Sequence, residues 1–403
     1  MSTSSLPAGD RRKFIGTLTR LTALGAIGFS PFDSKAAPLR NQGNSFAAGP
    51  YLQVVSSTSM SIRWITEVPS YSWVEYGETA ELGKKAHAVT DGLVDAYNRV
   101  HEIILEDLEP GKTYWYRIVS KAILDFQPYK LVYGEQLNSD VYTLSTLPTH
   151  SRELNWLVLN DIHDQPKSFG DLIRLNGKDP YDFVFLNGDM FDYQTDEKQI
   201  MEHLLIPCSS SFATQKPFLF VRGNHETRGK YARQLKDYFT NPGGQFFSIN
   251  CGPVFVLALD TGEDKPDKEE VYAGIVDFDQ YRRRQAIWLE KQLQSRAARK
   301  ARFRVVMMHI PTFYSGDWHG TLHCRELFSP LFDKYKVDLV IAGHTHKYGI
   351  HPPVKGQHNY PIVIGGGPKE GKRTLIKVRA TEEALNLQML RDDGEQVGTY
   401  TIN

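Results

Sequence analysis

Between residues 49 and 147, apolar and polar positions alternate in short runs separated by turn-forming residues. Ser61-Ile62-Arg63-Trp64-Ile65, Trp73-Val74-Glu75-Tyr76 and Thr113-Tyr114-Trp115-Tyr116-Arg117-Ile118 are the clearest. A period of two puts alternate side chains on one face, so each run predicts a strand half-buried in a sheet. The pattern predicts an all-β sandwich over residues 47–147. His87 and His101 within it carry no catalytic surroundings. After the connection Thr146-Leu147-Pro148-Thr149-His150-Ser151 the texture changes. Over residues 152–403, continuous apolar runs of four to seven residues alternate with helical stretches, which predicts an α/β domain whose strands are covered on both faces. The clearest helix is predicted over 279–302, with Ala286, Ile287, Leu289, Glu290 and Leu293 giving a narrow stripe and its arginines on a solvated face.

The apolar runs of this second region end in metal-ligand residue types. The run 154–160 leads into Asp161-Ile162-His163, and 183–187 into Gly188-Asp189-Met190-Phe191-Asp192. Likewise 218–222 leads into Gly223-Asn224-His225-Glu226, 305–308 into His309, and 337–342 into Gly343-His344-Thr345-His346. Ligands in open α/β sheets bind outside the carboxyl ends of the strands, so five runs delivering Asp, Asn or His there predict one shared site. Asp161 and His163 stand two apart and, in extended chain, would face the same side. Asp189 has two oxygens able to bridge cations about 3.5–4 Å apart. Asn224 offers a neutral oxygen, and His309, His344 and His346 offer nitrogen. Nitrogen and oxygen donors without thiolate suit two ions of Zn, Mn or Fe.

Composition narrows the choice without making it. Of 403 residues, 41% are apolar and 23% charged, enough for a large core. Basic and acidic residues number 47 each, so no positive field recruits nucleic acid. Three cysteines (Cys208, Cys251, Cys324) are too few for a disulfide framework. No run approaches the roughly 18 apolar residues of a membrane span. Residues 1–36 contain Asp10-Arg11-Arg12-Lys13-Phe14-Ile15, continue through a mildly apolar stretch and end near Ser34-Lys35-Ala36-Ala37. They resemble a twin-arginine export signal, which predicts a periplasmic or secreted bacterial protein.

Taken together, D-x-H, G-D-x-x-D, G-N-H-E, a lone His after a strand and G-H-x-H resemble the calcineurin-type metallophosphoesterase family over residues 154–346. The resemblance implies a four-layer α/β/β/α sandwich holding two metal ions. One ion would take Asp161, His163, Asp189 and His346; the other would take Asp189, Asn224, His309 and His344. A hydroxide between the ions would attack a phosphomonoester, with His225 as proton donor and Asp192 orienting its imidazole. In the first region, the L-x-P-x-x-x-Y spacing of Leu108 to Tyr114 resembles the tyrosine corner of fibronectin type III-like sandwiches. Such a domain ahead of this catalytic type resembles the purple acid phosphatases. Those enzymes carry G-D-x-x-Y and lack the first-motif histidine, whereas this chain has Asp192 and His163, which implies a colourless metal site and leaves Tyr193 without a ligand role. Trp318, His319 and His323 are read as a loop able to touch substrate, and Arg222 as a further contact. Gly366-Gly367-Pro368-Lys369-Glu370-Gly371-Lys372 imitates the start of a phosphate-binding loop, but Arg373 replaces the Ser/Thr and a strand pattern follows. A phosphodiesterase or nucleotide pyrophosphatase using the same centre is the nearest alternative, and a non-catalytic binding protein a more distant one. Oligomeric state is not readable from the chain.

Overall fold

The computed structural model describes residues 44–149 and 151–403; the export segment expected at 1–36 lies outside them. The described residues fall into one compact unit. Its second region consists of two sheets stacked between helices. In the first sheet Glu153–Leu159, Phe183–Asn187 and Phe218–Val221 run parallel side by side, with Trp156 opposite Phe183 and Val184 opposite Phe218. Thr374–Thr381, Leu385–Arg391 and Gln396–Ile402 extend it antiparallel beyond Glu153–Leu159. The second sheet has the order Phe247–Cys251, Val254–Leu259, Phe303–Met308, Leu339–Ala342, Ile362–Ile364, Gly349–His351, with its four central strands parallel.

Side-chain alternation explains the layering. Within Glu153–Leu159, Trp156 and Val158 point into a cluster shared with Val256, Val305, Met307 and Ile341 of the second sheet. Leu157 and Leu159 point the other way, onto Phe169 and Leu172 of the helix Lys167–Leu175 and onto Leu204 and Phe212. On the far side, Leu257, Val306 and Met308 pack on Leu289 and Leu293 of the helix Phe278–Leu293 and on Phe328 and Phe332 of the helix His319–Lys334. Helix, sheet, sheet, helix is the predicted four-layer order. Strands covered on both faces need apolar side chains at every position, which is why the sequence shows runs without alternation. Each fully buried Leu, Val or Phe contributes about 1.5–3 kcal/mol, so the strand ends are anchored by these packed layers.

The first region is rich in sheet. The long strand Ser59–Gly77 pairs through its first half with Phe46–Ser56 and Ala96–Leu105, and through its second half with Thr113–Gln127. Trp64, Trp73, Tyr116 and Ile118 from these strands meet in one buried cluster. The Tyr114 hydroxyl accepts the Glu109 backbone N–H at 2.9 Å, the contact expected of a tyrosine corner. His101 is buried between Thr66 and Ser72, and His87 stacks on Tyr71. The two regions share hydrogen-bonded structure: Phe46–Ser56 lies parallel to Phe218–Val221, with Gln53 opposite Phe218. Tyr51 and Tyr116 donate hydroxyls to the carbonyls of Tyr238 and Thr214.

Two expectations for the second region fail. The helix predicted over 279–302 ends at Leu293, and a separate helix Arg296–Lys300 starts where the Ser295 side chain caps Ala298 N–H. Its buried face is Arg282, Gln285, Leu289 and Leu293, whereas Ile287 is exposed. Arg282 is fully buried because its guanidinium donates to the Thr261 and Glu263 carbonyls and pairs with Asp279, leaving no unmatched charge. The stretch read as a loop around Trp318 is the start of the helix His319–Lys334.

Candidate metal centre

The parallel strands of both sheets deliver their carboxyl ends to one place. Asp161 and Asp189 are buried there, within reach of His163, His309, His344, His346 and His225. His309 Nε2 lies 2.9 Å from Asp189 Oδ2, and His163 Nε2 lies 3.6 Å from the same oxygen. His346 Nε2 is 3.3 Å from Asp161 Oδ1 and 3.0 Å from His163 Nε2. His344 Nδ1 stands 3.0 Å from Asn224 Oδ1. All seven residues named as metal ligands therefore converge, in two groups that share Asp189 between them: Asp161, His163 and His346 on one side, and His309, His344 and Asn224 on the other.

The convergence of Asp161 and His163 does not come from extended chain. Asp161 (φ 52°), His163 (47°), Asp164 (54°), Asp189 (56°), His344 (73°) and His346 (56°) all adopt left-handed backbone. Such conformations cost of order 1–3 kcal/mol each in sparsely populated regions and persist only where the surroundings over-determine them. Here the Asp161 and His163 N–H groups donate to the Gly188 and Asp189 carbonyls, both at 3.0 Å, and stitch the two turns together. Gly188 (φ 84°) leaves no room for a side chain: a Cβ would stand 2.5 Å from His309 Nδ1. The Glu226 carboxylate, completely buried, accepts the N–H groups of Met190 (2.6 Å), Gly223 (2.7 Å), Asp189 (2.8 Å) and Phe191 (3.3 Å). It is the brace that holds the Asp189 turn against the Gly223-Asn224 turn.

Two buried carboxylates make this a strongly negative place. Burial opposes charge on His309, yet Asp189 and Asp161 overcome it and hold the imidazole up to about 10. The same contest, with Asp161, Asp189 and Asp192 on the winning side, holds His163 up to about 9. Burial and the neighbouring His309 charge push His344 down to about 4. Burial, joined by the Asp189 charge, pushes Glu226 up to about 7 against its four N–H donors. The donor set fits metal ions: His309 Nε2 is buried and makes no hydrogen bond, and the imidazole nitrogens of His163 and His346 point at each other. Carboxylate oxygen, amide oxygen and imidazole nitrogen are the ligands of Zn, Mn and Fe.

The pair expected to be catalytic, His225 and Asp192, is arranged differently from the expectation. The Asp192 carboxylate accepts from His163 Nδ1 at 2.7 Å, so it orients a candidate ligand histidine. Only its backbone carbonyl meets His225, accepting from Nδ1 at 2.8 Å. That bond puts the His225 proton on Nδ1, since a carbonyl cannot donate, and leaves Nε2 to accept from Arg228 Nη1 at 3.0 Å. Burial first, and the Arg228 charge after it, lower the pKa of this imidazole against the pull of Asp189. Arg228 is fixed by the buried Glu263 carboxylate through a pair of bonds at 3.0 Å, and Glu263 is also held by Thr227 and Tyr272.

His319 and His323 converge on Asp279 Oδ1 at 2.6 and 3.2 Å, beside Arg282. Arg222 pairs with buried Asp260, which Tyr281 also holds. Tyr193 is exposed. Sequence reasoning missed Asn160 and the Gly365-Gly366-Gly367 stretch. Asn160 Nδ2 donates to Asp161 Oδ2 at 2.5 Å and to the Gly366 carbonyl at 2.9 Å, while a Cβ on Gly367 would sit 2.5 Å from that of His346. Three glycines in a row after an apolar run, Ile362–Ile364, were the available signal of a wall pressed close against the site.

Known proteins agree with this geometry. Residues 154–348 match the calcineurin-like phosphoesterase family and residues 48–146 match the purple acid phosphatase N-terminal domain. The chain is 28% identical over 342 residues to human acid phosphatase type 7, covering 76% of this chain and 70% of that one. In fold it resembles the purple acid phosphatase PPD1 of yellow lupin seeds, with a TM-score of 0.66 at 17% identity over 88% of this chain and 74% of the other. It also resembles PhoD, with a TM-score of 0.60 at 12% identity over 89% of each. With its ligand-type residues gathered at the strand ends, the chain carries a calcineurin-like metallophosphoesterase domain behind a purple acid phosphatase N-terminal domain, and is a purple acid phosphatase-like hydrolase.

Proposed function

We propose that this protein is an exported phosphomonoesterase with two metal ions, one on Asp161, His163, Asp189 and His346 and the other on Asp189, Asn224, His309 and His344. The observation that supports this reading best is the pair of buried carboxylates ringed by imidazoles at the ends of five strands. Bound cations would lower the pKa of water toward about 7 and offset charge on the phosphoryl oxygens. The chain's own residues do the rest. Asp192 and the Asn187 carbonyl fix the tautomers of His163 and His309 by accepting from Nδ1, which turns each Nε2 toward the carboxylates. Glu226 holds Asp189 in place, and Asp161 is locked by the His344 N–H and Asn160. His225, one residue from Asn224, reaches 3.9 Å from Asp189 Oδ2; released from Arg228 by substrate, its Nε2 would first take up a proton, favoured by the Asp189 charge, and then pass it to the leaving oxygen. His163, and Asp192 in the position of a tyrosine, support a colourless centre of Zn, Mn or Fe.

The twin-arginine segment at 1–36 supports export to the bacterial periplasm, and its removal takes five basic and two acidic residues from 47 of each, leaving the mature chain weakly acidic. Among the described residues no helix is long and apolar enough to cross a membrane. Two measurements test the proposal. Metal analysis after reconstitution should find about two ions per chain; a stable content near zero refutes the centre. p-Nitrophenyl phosphate should be turned over faster than its bis-ester, and a preference for the diester overturns the monoesterase assignment.

A further inference from the structure

A cavity of ≈ 430 Å³ opens beside His346, one of the proposed metal ligands. Its wall includes Lys347, Tyr348, Gly367, Lys369 and Lys372, and no acidic residue lines it. Among the described residues none of these three ammonium groups has a carboxylate within 4.0 Å. The contrast with the larger groove of ≈ 610 Å³ is plain: there Lys377 pairs with Asp179 and Arg379 with Glu153, so the charges cancel.

The loop carrying Lys369 and Lys372 is firmly built. Gly365 presses against Asn160, Gly367 against His346 and Gly366 against the Lys372 carbonyl, and the Gly366 N–H donates to Thr374 Oγ1 at 2.7 Å. Lys372 N–H closes a turn onto the Lys369 carbonyl, and the Gly371 N–H is held by both oxygens of Asp392. Arg373 Nε donates to the Pro368 carbonyl at 2.7 Å. Asp392 is thus occupied at the back of the loop, and Glu370 does not line the cavity. Glycine-rich sequence with two lysines imitates a nucleotide-binding loop, but here it ends in a strand and flanks the metal centre. Three exposed lysines without carboxylate partners thus stand on a hydrogen-bonded loop and its neighbour, next to the proposed ligand His346, and give this wall a positive field.

We propose that this cavity binds a second phosphate of the substrate, so that the preferred substrates carry two or more phosphates, as bisphosphates or condensed phosphates, over esters with an uncharged leaving group. The proposal rests on the phosphoesterase reading above. It is tested on the full-length, metal-loaded protein with a triple variant, Lys347→Gln with Lys369→Gln and Lys372→Gln. In the wild type, calorimetry should find tripolyphosphate bound at least tenfold more tightly than inorganic phosphate. The ratio should fall about tenfold in the triple variant, a factor that needs only a modest contribution from each exposed lysine. The ratio of kcat/KM for tripolyphosphate to that for p-nitrophenyl phosphate should fall by a similar factor. A binding ratio that stays within twofold between wild type and variant overturns the proposal. Binding that follows the prediction while neither compound is hydrolysed would refute the phosphoesterase reading and leave the anion site standing.

Discussion

Glu226→Gln is the sharpest probe of how the centre is held. The wild-type carboxylate offers four acceptor directions to four backbone donors: Oε1 takes Met190 and Phe191, and Oε2 takes Asp189 and Gly223. Glutamine has the same shape, and it also copies the charge of a protonated glutamate, but one of its two ends is a donor. Whichever way the amide is turned, two buried N–H groups face an NH₂. A buried donor left unsatisfied costs about 1–3 kcal/mol, so the substitution should destabilise by about 2–6 kcal/mol. Unfolding entropy near 2.1 cal/mol/K per residue over about 360 residues converts each kcal/mol to roughly 1.3 °C, giving a fall in Tm of about 3–8 °C. Relief of the conflict requires the Asp189 turn to move away from the Gly223 turn, so metal content should fall with stability. Differential scanning calorimetry and metal analysis of the same preparation are the assays. A Glu226→Gln protein with wild-type Tm and wild-type metal content would refute the bracing role.

Other outcomes follow from single contacts. Asp192→Asn weakens the bond that orients His163, so metal affinity should drop about 10–100-fold; unchanged metal affinity with a selective loss on poor leaving groups would instead tie Asp192 to His225. His225→Ala should keep its metal while turnover slows by about 10²–10⁴-fold, most for poor leaving groups, as a series of aryl phosphates would reveal. His101, pushed down to about 3 by burial, stays neutral in the folded protein while the unfolded chain binds a proton below about 6.5. Its contribution is complete above 6.5 and is lost progressively as pH falls from 6.5 toward 3, reaching about 2 kcal/mol at pH 5. His101→Gln should therefore lose less stability than wild type between pH 7 and pH 5, and parallel denaturation profiles would disprove this.

The legible part of the molecule was the part set by continuous apolar pattern. Strands buried on both faces announce themselves as unbroken runs, and a polar Asp or His directly after such a run can only stand at the sheet's carboxyl edge. The seven candidate ligands were found that way. What escaped was decided by partners distant in the chain. Arg282 reads as solvated because helical period treats every arginine as polar; its burial depends on carbonyls at Thr261 and Glu263. Asp192 sits where a partner for His225 is expected, and only the left-handed turn at His163 brings that ring to its carboxylate instead. His319 and His323 looked like loop residues because the signals around Gly316 and Gly320 favour turns, whereas Gly320 is needed for close approach to the Glu263 carbonyl.

The parallel pairing of Gln53 with Phe218 has a practical meaning. Take away the first hundred described residues and the strand Phe218–Val221 would present a raw, ungated row of amide and carbonyl groups to any other chain in solution. Tyr51 and Tyr116, now anchored on the far side of that seam, would leave the Tyr238 and Thr214 carbonyls bare. The amino-terminal region is therefore a lid on the catalytic sheet's sticky border. Amputating it should yield aggregates, and heating the intact protein should melt both regions in a single step.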